Sequence, residues 1–304
     1  MAEEPAPGGE ALAALWAIPS PFHEYEAEET RVSTGSAGKV AIARLSFERF
    51  DDKTYLHGLF TQTPARVLRA LYYDPFLPGL PYVIFVNPTG GIVQGDRYEY
   101  QITLGEGAEA FITDSMATKI YRMDLNYAGR HTEVSLGKGS RLEYLPRETI
   151  AFARSRWYQN TIFRVSEGSR FLFSEIFCPG RIASEESWDF TLHASRVAIL
   201  EDDNPVLVDS SLYTGEDKAR SGILFANRTF LLSAYWYSGR VPGSKGKIDF
   251  GNLYGGVSEM PGRRGIVVKA LSDSLEDLKA FQLGLWADFR KEEAGTEVPA
   301  LRMY

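Results

Sequence analysis

The chain has 304 residues, 44% apolar and 13% aromatic, with a formal charge of −7 and a sequence pI near 5.3. That size and apolar content suit one large globular domain or two ordinary ones, and the acidic balance argues against a nucleic-acid binder. A single cysteine, Cys178, excludes an internal disulfide and every multi-cysteine zinc or iron–sulfur motif, and no apolar run reaches the roughly 18–20 residues of a membrane span. The acidic, Pro/Gly-rich start (Ala2–Glu10) is the opposite of a signal peptide's basic opening, so a cytoplasmic protein is expected.

Residues 1–38 read as an extension, expected to be partly disordered. Ala11–Ile18 suits a helical turn or two, which Pro19, Pro21 and an acidic cluster (Glu24, Glu26, Glu28, Glu29) then break. Residues 39–304 read as a single domain whose first strand begins near Gly38 and alternates through Glu48. Tyr82–Val86 is the next clear strand. It runs into Asn87-Pro-Thr-Gly-Gly-Ile-Val-Gln-Gly-Asp96, which leads out into Arg97–Ile102. Three glycines and a proline there suit a tight turn with positive φ. Two readings of its end compete: an ordinary β-turn with a solvated Asp, or a turn that fixes Asp96 for a purpose.

An internal repeat follows. Leu104-Gly-Glu-Gly-Ala108, Leu136-Gly-Lys-Gly-Ser140 and Val165-Ser-Glu-Gly-Ser169 share one pattern, and each lies between two alternating strands. A unit recurring near 30 residues implies β units stacked on one another, each covering its neighbour's apolar face, although three meander hairpins in a sandwich would give a comparable period. Stacking should gather the residues after the second strands, Asp114, Glu148 and Glu175, at one corner. Farther on, Val206–Tyr213 and Ile266–Leu271 read as strands, and Ile223–Tyr237 as a strand or a buried helix. A helix opens after Ser272 or Ser274, with Leu275, Leu278, Phe281, Leu285 and Phe289 at helical spacing. The expected fold is mainly β: a layered, β-helical, solenoid-like stack of antiparallel hairpin units with about two α-helices, one near the C-terminus.

Chemical motifs are sparse. Gly35-Ser-Ala-Gly-Lys-Val40 and Gly243-Ser-Lys-Gly-Lys-Ile248 each lack the first P-loop glycine and the Ser/Thr after Lys, so neither cradles a nucleotide phosphate. There is no Gly-x-Ser-x-Gly elbow. The four histidines form no paired motif, which excludes a tight structural zinc site but leaves open a weak, transient site built from carboxylates. Carboxylates remain, and a carbohydrate-active β-helix enzyme (glycosidase or lyase) using paired acids is a live alternative on the residues alone.

Four motifs in order carry a resemblance: Gly90-Gly-Ile-Val-Gln-Gly-Asp96, Ala117-Thr-Lys-Ile-Tyr-Arg122, Leu145-Pro-Arg-Glu-Thr-Ile150 and Cys178-Pro-Gly-Arg181. From about residue 40 onward the chain resembles the urease accessory protein UreD (UreH) family. It departs from the family pattern at Gln94, where a glycine is usual, and at Asp114-Ser-Met116, where Thr-Pro-Gly is usual. The resemblance implies a nickel-delivery scaffold and not an enzyme. Such a scaffold binds UreF, reaches the GTPase UreG through UreF, docks on apo-urease, and can form a dimer of heterocomplexes. GTP would belong to the partner alone, no cofactor would be tightly bound, and Ni²⁺ would be in transit through an internal tunnel. Asp96, Glu148 and Glu186 are the residues the resemblance suggests for that nickel path. Gly90, Gly91, Gly95, Lys119, Tyr121 and Arg122 match motifs whose role is structural.

Overall fold

The computed structural model describes residue 15, residues 17–26 and residues 38–300. The expected disorder of the extension and most of the helical turns placed at Ala11–Ile18 therefore lie outside the described residues.

The first half of the described chain holds β1 (Val40–Phe50), β2 (Lys53–Gln62), β3 (Arg66–Val67), β4 (Tyr82–Val86), β5 (Arg97–Leu104), β6 (Glu109–Asp114), β7 (Thr118–Ile120), β8 (Ala128–Leu136) and β9 (Arg141–Leu145). The second half holds β10 (Thr149–Ala151), β11 (Arg156–Val165), β12 (Arg170–Cys178), β13 (Leu192–Glu201), β14 (Asn204–Thr214), β15 (Phe230–Tyr237), β16 (Tyr254–Glu259) and β17 (Gly265–Ser272). They form two facing sheets. The first has the order β14-β13-β11-β8-β5-β1-β2; the second runs β16-β17-β15-β12-β9-β6-β4-β3, with β10 and β7 beside β12.

The repeat is present, but its units are arches and not antiparallel hairpins. Strands β5, β8 and β11 pair in parallel in the first sheet, while their followers β6, β9 and β12 pair in parallel in the second. The sheets are therefore mixed. At each crossing a glycine takes the left-handed conformation: Gly107, Gly139 and Gly168, with φ of 63°, 66° and 71°. The physical reason lies in the alternation. Both arms of a unit carry apolar side chains on one face, and an arch turns those faces toward each other. A hairpin would set the arms side by side in one sheet and leave both faces uncovered. Phe163 of β11 accordingly stacks on Phe171 of β12, ring centroids 4.1 Å apart, inside the main core. Ile223–Tyr237 divides into a one-turn helix (Ser221–Leu224) and β15.

The C-terminal helix, Leu275–Ala294, covers the outer face of the second sheet. Ser274 caps it, its Oγ accepting from the Asp277 N–H at 3.1 Å, and Gly295 ends it at φ 68°. Leu278, Leu285 and Phe289 of the expected stripe are buried, and Leu275 and Phe281 pack against the same cluster. The helix also buries a charge network. Arg290 donates to Asp74 (2.7 Å) and to both oxygens of Glu143 (2.7 and 2.5 Å). Trp286 and Arg141 donate to Glu143 as well, at 2.6 and 3.0 Å.

The outer face of the first sheet is covered by the N-terminal segment. A 3-10 turn, Ser20–Tyr25, drives Phe22 between Tyr127 and Tyr158, at centroid distances of 5.4 and 5.7 Å. Phe22 is fully buried, a gain of about 1.5–3 kcal/mol for a side chain of that size. The Leu15 carbonyl accepts from Asn160 and Arg196, and Arg156 lies 4.0 Å over the Tyr25 ring.

Candidate functional site

The four sequence motifs lie side by side. Ile92 bridges Ile120 in parallel, β7 pairs with β10, and β10 pairs with the end of β12 through Ile150 and Cys178. The 90s turn is zipped to the second motif by Ile92 N–H to Lys119 O (2.8 Å) and Tyr121 N–H to Ile92 O (2.9 Å). Gly90 and Gly95 take φ of 77° and 79°, and a Cβ on Gly91 would sit 2.3 Å from the Tyr121 ring. These glycines are turn and contact chemistry.

Asp96 completes the turn. Its carboxylate is buried and accepts the backbone N–H groups of Lys39 (3.0 Å) and Val93 (3.1 Å). Burial raises its pKa and those N–H bonds pull the other way. Glu148 accepts from Lys279 of the C-terminal helix at 2.9 Å. Glu186 is paired with Arg181 (2.5 Å), accepts from the Ala153 N–H (3.0 Å), and is held below the usual carboxylate range by that arginine. Arg122 pairs with Asp124 at the surface, 2.9 Å apart. Each of the three acids named for the nickel path thus has its own separate partners. Glu148 lies near the Asp114 corner, next to Arg147, whose N–H donates to Asp114 at 3.3 Å, but it is out of register with it. Thr113 pairs with Leu145, and Tyr144 with Phe173, so the residue level with Asp114 and Glu175 is Pro146, two positions before Glu148.

The sequence reading missed a layer of polar side chains between the sheets. In the first sheet Tyr98, Arg130, Gln159, Ser195 and Ser211 occupy one register row across five strands. In the second, Glu175, Ser233 and Lys269 form a matching row. Their side chains link across the gap. Arg130 Nη2 donates to Gln159 Oε1 (3.0 Å), Gln159 Nε2 to Glu175 Oε2 (2.5 Å), and Ser195 Oγ to Glu175 Oε1 (2.8 Å). Toward β14 and β17, Asp209 accepts from Tyr235 (2.8 Å) and Lys269 (2.6 Å). At the other end a pocket beside the Gly90-Gly91 turn is lined by Asn87, Tyr98, Asp114, Lys119 and Arg130, among others.

Apolar layers bound this row on both sides. The arch side holds Phe163, Phe171 and Phe173, and the far side holds Phe177, Trp188, Phe190 and Phe225. Burying polar groups in such surroundings costs free energy unless they are hydrogen-bonded. The row meets that condition incompletely: Arg130 is 7% exposed, and its Nε has no partner. Burial pushes the Asp114 carboxyl up to about 6 and raises Glu175 as well. Thiol and imidazole contribute little here. Burial holds Cys178 protonated and drops His193 to about 3, and among the described residues no three of His, Cys, Asp and Glu gather as a metal-holding group. No helix among them is long and apolar enough to cross a membrane.

Comparison with known proteins places the chain. The family model described as UreD urease accessory protein matches residues 39–304. A urease accessory protein UreD of Haloarcula marismortui is 32% identical over 295 residues, covering 94% of this chain and 98% of its own. One from Cenarchaeum symbiosum is 29% identical, covering 90% and 99%. Urease accessory protein UreD 3 of Methylorubrum populi is 31% identical, covering 91% and 93%.

Proposed function

Because this chain belongs to the UreD family of urease accessory proteins, we propose that it is a non-enzymatic maturation scaffold that passes nickel to apo-urease along the polar layer between its sheets. The observation that carries this reading is the layer itself, a row of polar side chains crossing an otherwise apolar interior from the Asp114 pocket to the Asp209–Lys269 pair. Carboxylate, amide and hydroxyl oxygens are hard, weak ligands for a divalent ion, so they hold nickel loosely enough to release it. Thiolates and imidazoles would hold it more firmly. No cofactor need be resident; Ni²⁺ is cargo.

In this reading the chain works in the cytoplasm, binds UreF, and meets UreG through UreF, which leaves GTP to the partner. Asp96, Glu148 and Glu186 frame the path through the turn, helix and loop contacts they make. The protein contact falls on the β1–β2 hairpin, which exposes Phe50, Tyr55, Leu59 and Phe60.

The test is Asp114→Asn and Glu175→Gln, each assayed for urease activity, urease nickel content and recovery of the accessory complex. A several-fold fall in nickel loading at normal complex levels is expected. Normal loading in both variants would overturn the path.

A further inference from the structure

We propose that Arg130 is a resident counter-cation at the midpoint of the polar layer, which a passing divalent ion must displace and which keeps the path from becoming a trap. This rests on the path proposed above and assigns it a selectivity residue.

Arg130 differs from the two most deeply buried arginines, and from Arg156, which also lacks a carboxylate but is held by the Met123 and Asn126 carbonyls. Arg290 and Arg141 bind carboxylates directly, at 2.5–2.7 Å and at 3.0 Å. Arg130 donates instead to one neutral oxygen, Gln159 Oε1, and faces the rings of Tyr100 and Trp157 at 5.9 Å each. Its Nε is unpartnered although the residue is only 7% exposed. Acids flank it on both sides. Asp114 lines the same pocket, and Glu175 lies one side chain away across Gln159.

A guanidinium cannot lose its proton in a protein, so its charge can be moved but not titrated away. One neutral hydrogen bond and two distant ring contacts hold it weakly, on a stem long enough to swing. With Arg130 in place, one cation acts on both carboxylates, while Arg147 reaches Asp114 alone and Lys269 reaches Glu175 alone. When a divalent ion arrives, like-charge repulsion favours the arginine's departure, and the vacated space is bordered by oxygens of Asp114, Gln159 and Glu175. After the ion moves on, the tethered arginine returns. Without it, both carboxylates lose the cation they share in a region of low dielectric and would hold the ion more firmly.

This predicts an unusual pair of effects: neutralising Arg130 should tighten metal binding and impair delivery. Equilibrium dialysis of Ni²⁺ against the full chain, carried in its accessory complex, compares wild type with Arg130→Gln, Arg130→Met and the double variant Arg130→Gln/Glu175→Gln. Both single variants should bind one Ni²⁺ at least tenfold more tightly than wild type. Glu175→Gln should abolish the gain, and urease activation should fall in the tight binders. Wild-type affinity in folded single variants, or a gain that survives Glu175→Gln, overturns the proposal.

Should neither variant fold, wild-type crystals soaked in nickel decide. An anomalous peak beside Asp114 or Glu175 with Arg130 swung off Gln159 supports it. A peak with Arg130 in place, or none in the layer, sinks it. Loss of activation in Asp114→Asn and Glu175→Gln alongside unchanged affinity in Arg130→Gln would remove this assignment while leaving the path standing.

Discussion

Two of the sets of charges buried among the described residues are built on different principles. Under the C-terminal helix, Glu143 takes bonds from Arg290, Arg141 and Trp286, and Arg290 spans Glu143 and Asp74. Between the sheets, Arg130 meets no carboxylate directly and leaves one nitrogen unpartnered. A direct, multiply bonded ion network offsets the desolvation of its members and fixes one geometry. A row with spare bonding capacity offsets less, and it can exchange partners. The first set fastens a helix to a sheet; the second is equipped to interact with something that comes and goes.

The largest break in that contrast should come from the fastening. Glu143→Ala leaves Arg290, at zero exposure, with Asp74 as its remaining carboxylate and removes the acceptor of Trp286 and Arg141, which should cost ~3–5 kcal/mol, read as a large fall in the denaturation midpoint. Next is Asp96→Ala, which leaves the partly buried N–H groups of Lys39 and Val93 without their acceptor. Each such loss costs about 1–3 kcal/mol, so this variant should lose stability before any transport defect can be read.

The polar layer should respond to pH more than to truncation. Asp114 titrates near 6 in the folded chain, above the value of about 3.9 expected unfolded, so the folded state binds the extra proton between those values. Its contribution to stability is therefore lost as pH rises through 6. Asp114→Asn should melt higher than wild type at pH 7.5, with the difference vanishing near pH 4. A constant difference across that range would show that the group is not desolvated. The smallest effect belongs to Glu186→Gln. It weakens a half-exposed pair with Arg181 but keeps an acceptor for Ala153, and should shift stability by under about 1 kcal/mol.

The contrast also explains what was legible in the sequence. The repeat could be read because its glycines must take positive φ at each crossing, which leaves a fixed mark at fixed spacing. The helix could be read because Ser274 and the leucine–phenylalanine stripe are local signals. Pairing direction leaves no such mark, since arch arms and hairpin arms alternate alike. Arg130 and Gln159 sit at inward positions of β8 and β11, but a polar residue in an alternating strand reads as solvent-facing until the facing sheet is known. Glu148 shows the limit of counting: the repeat suggested it as the equivalent of Asp114 and Glu175, and the ladder register gives that place to Pro146. The partners of Arg290 are farther still from view, with Asp74 216 residues away in the chain.

The N-terminal segment has a consequence in time. Its Leu15 carbonyl meets Arg196, which follows 181 residues later. At roughly 5–20 residues per second of synthesis, that separation is on the order of ten seconds or more. The segment therefore leaves the ribosome well before its seat has been made. Until Tyr127 and Tyr158 follow it, Phe22 has no aromatic seat, so the segment closes over a sheet made after it.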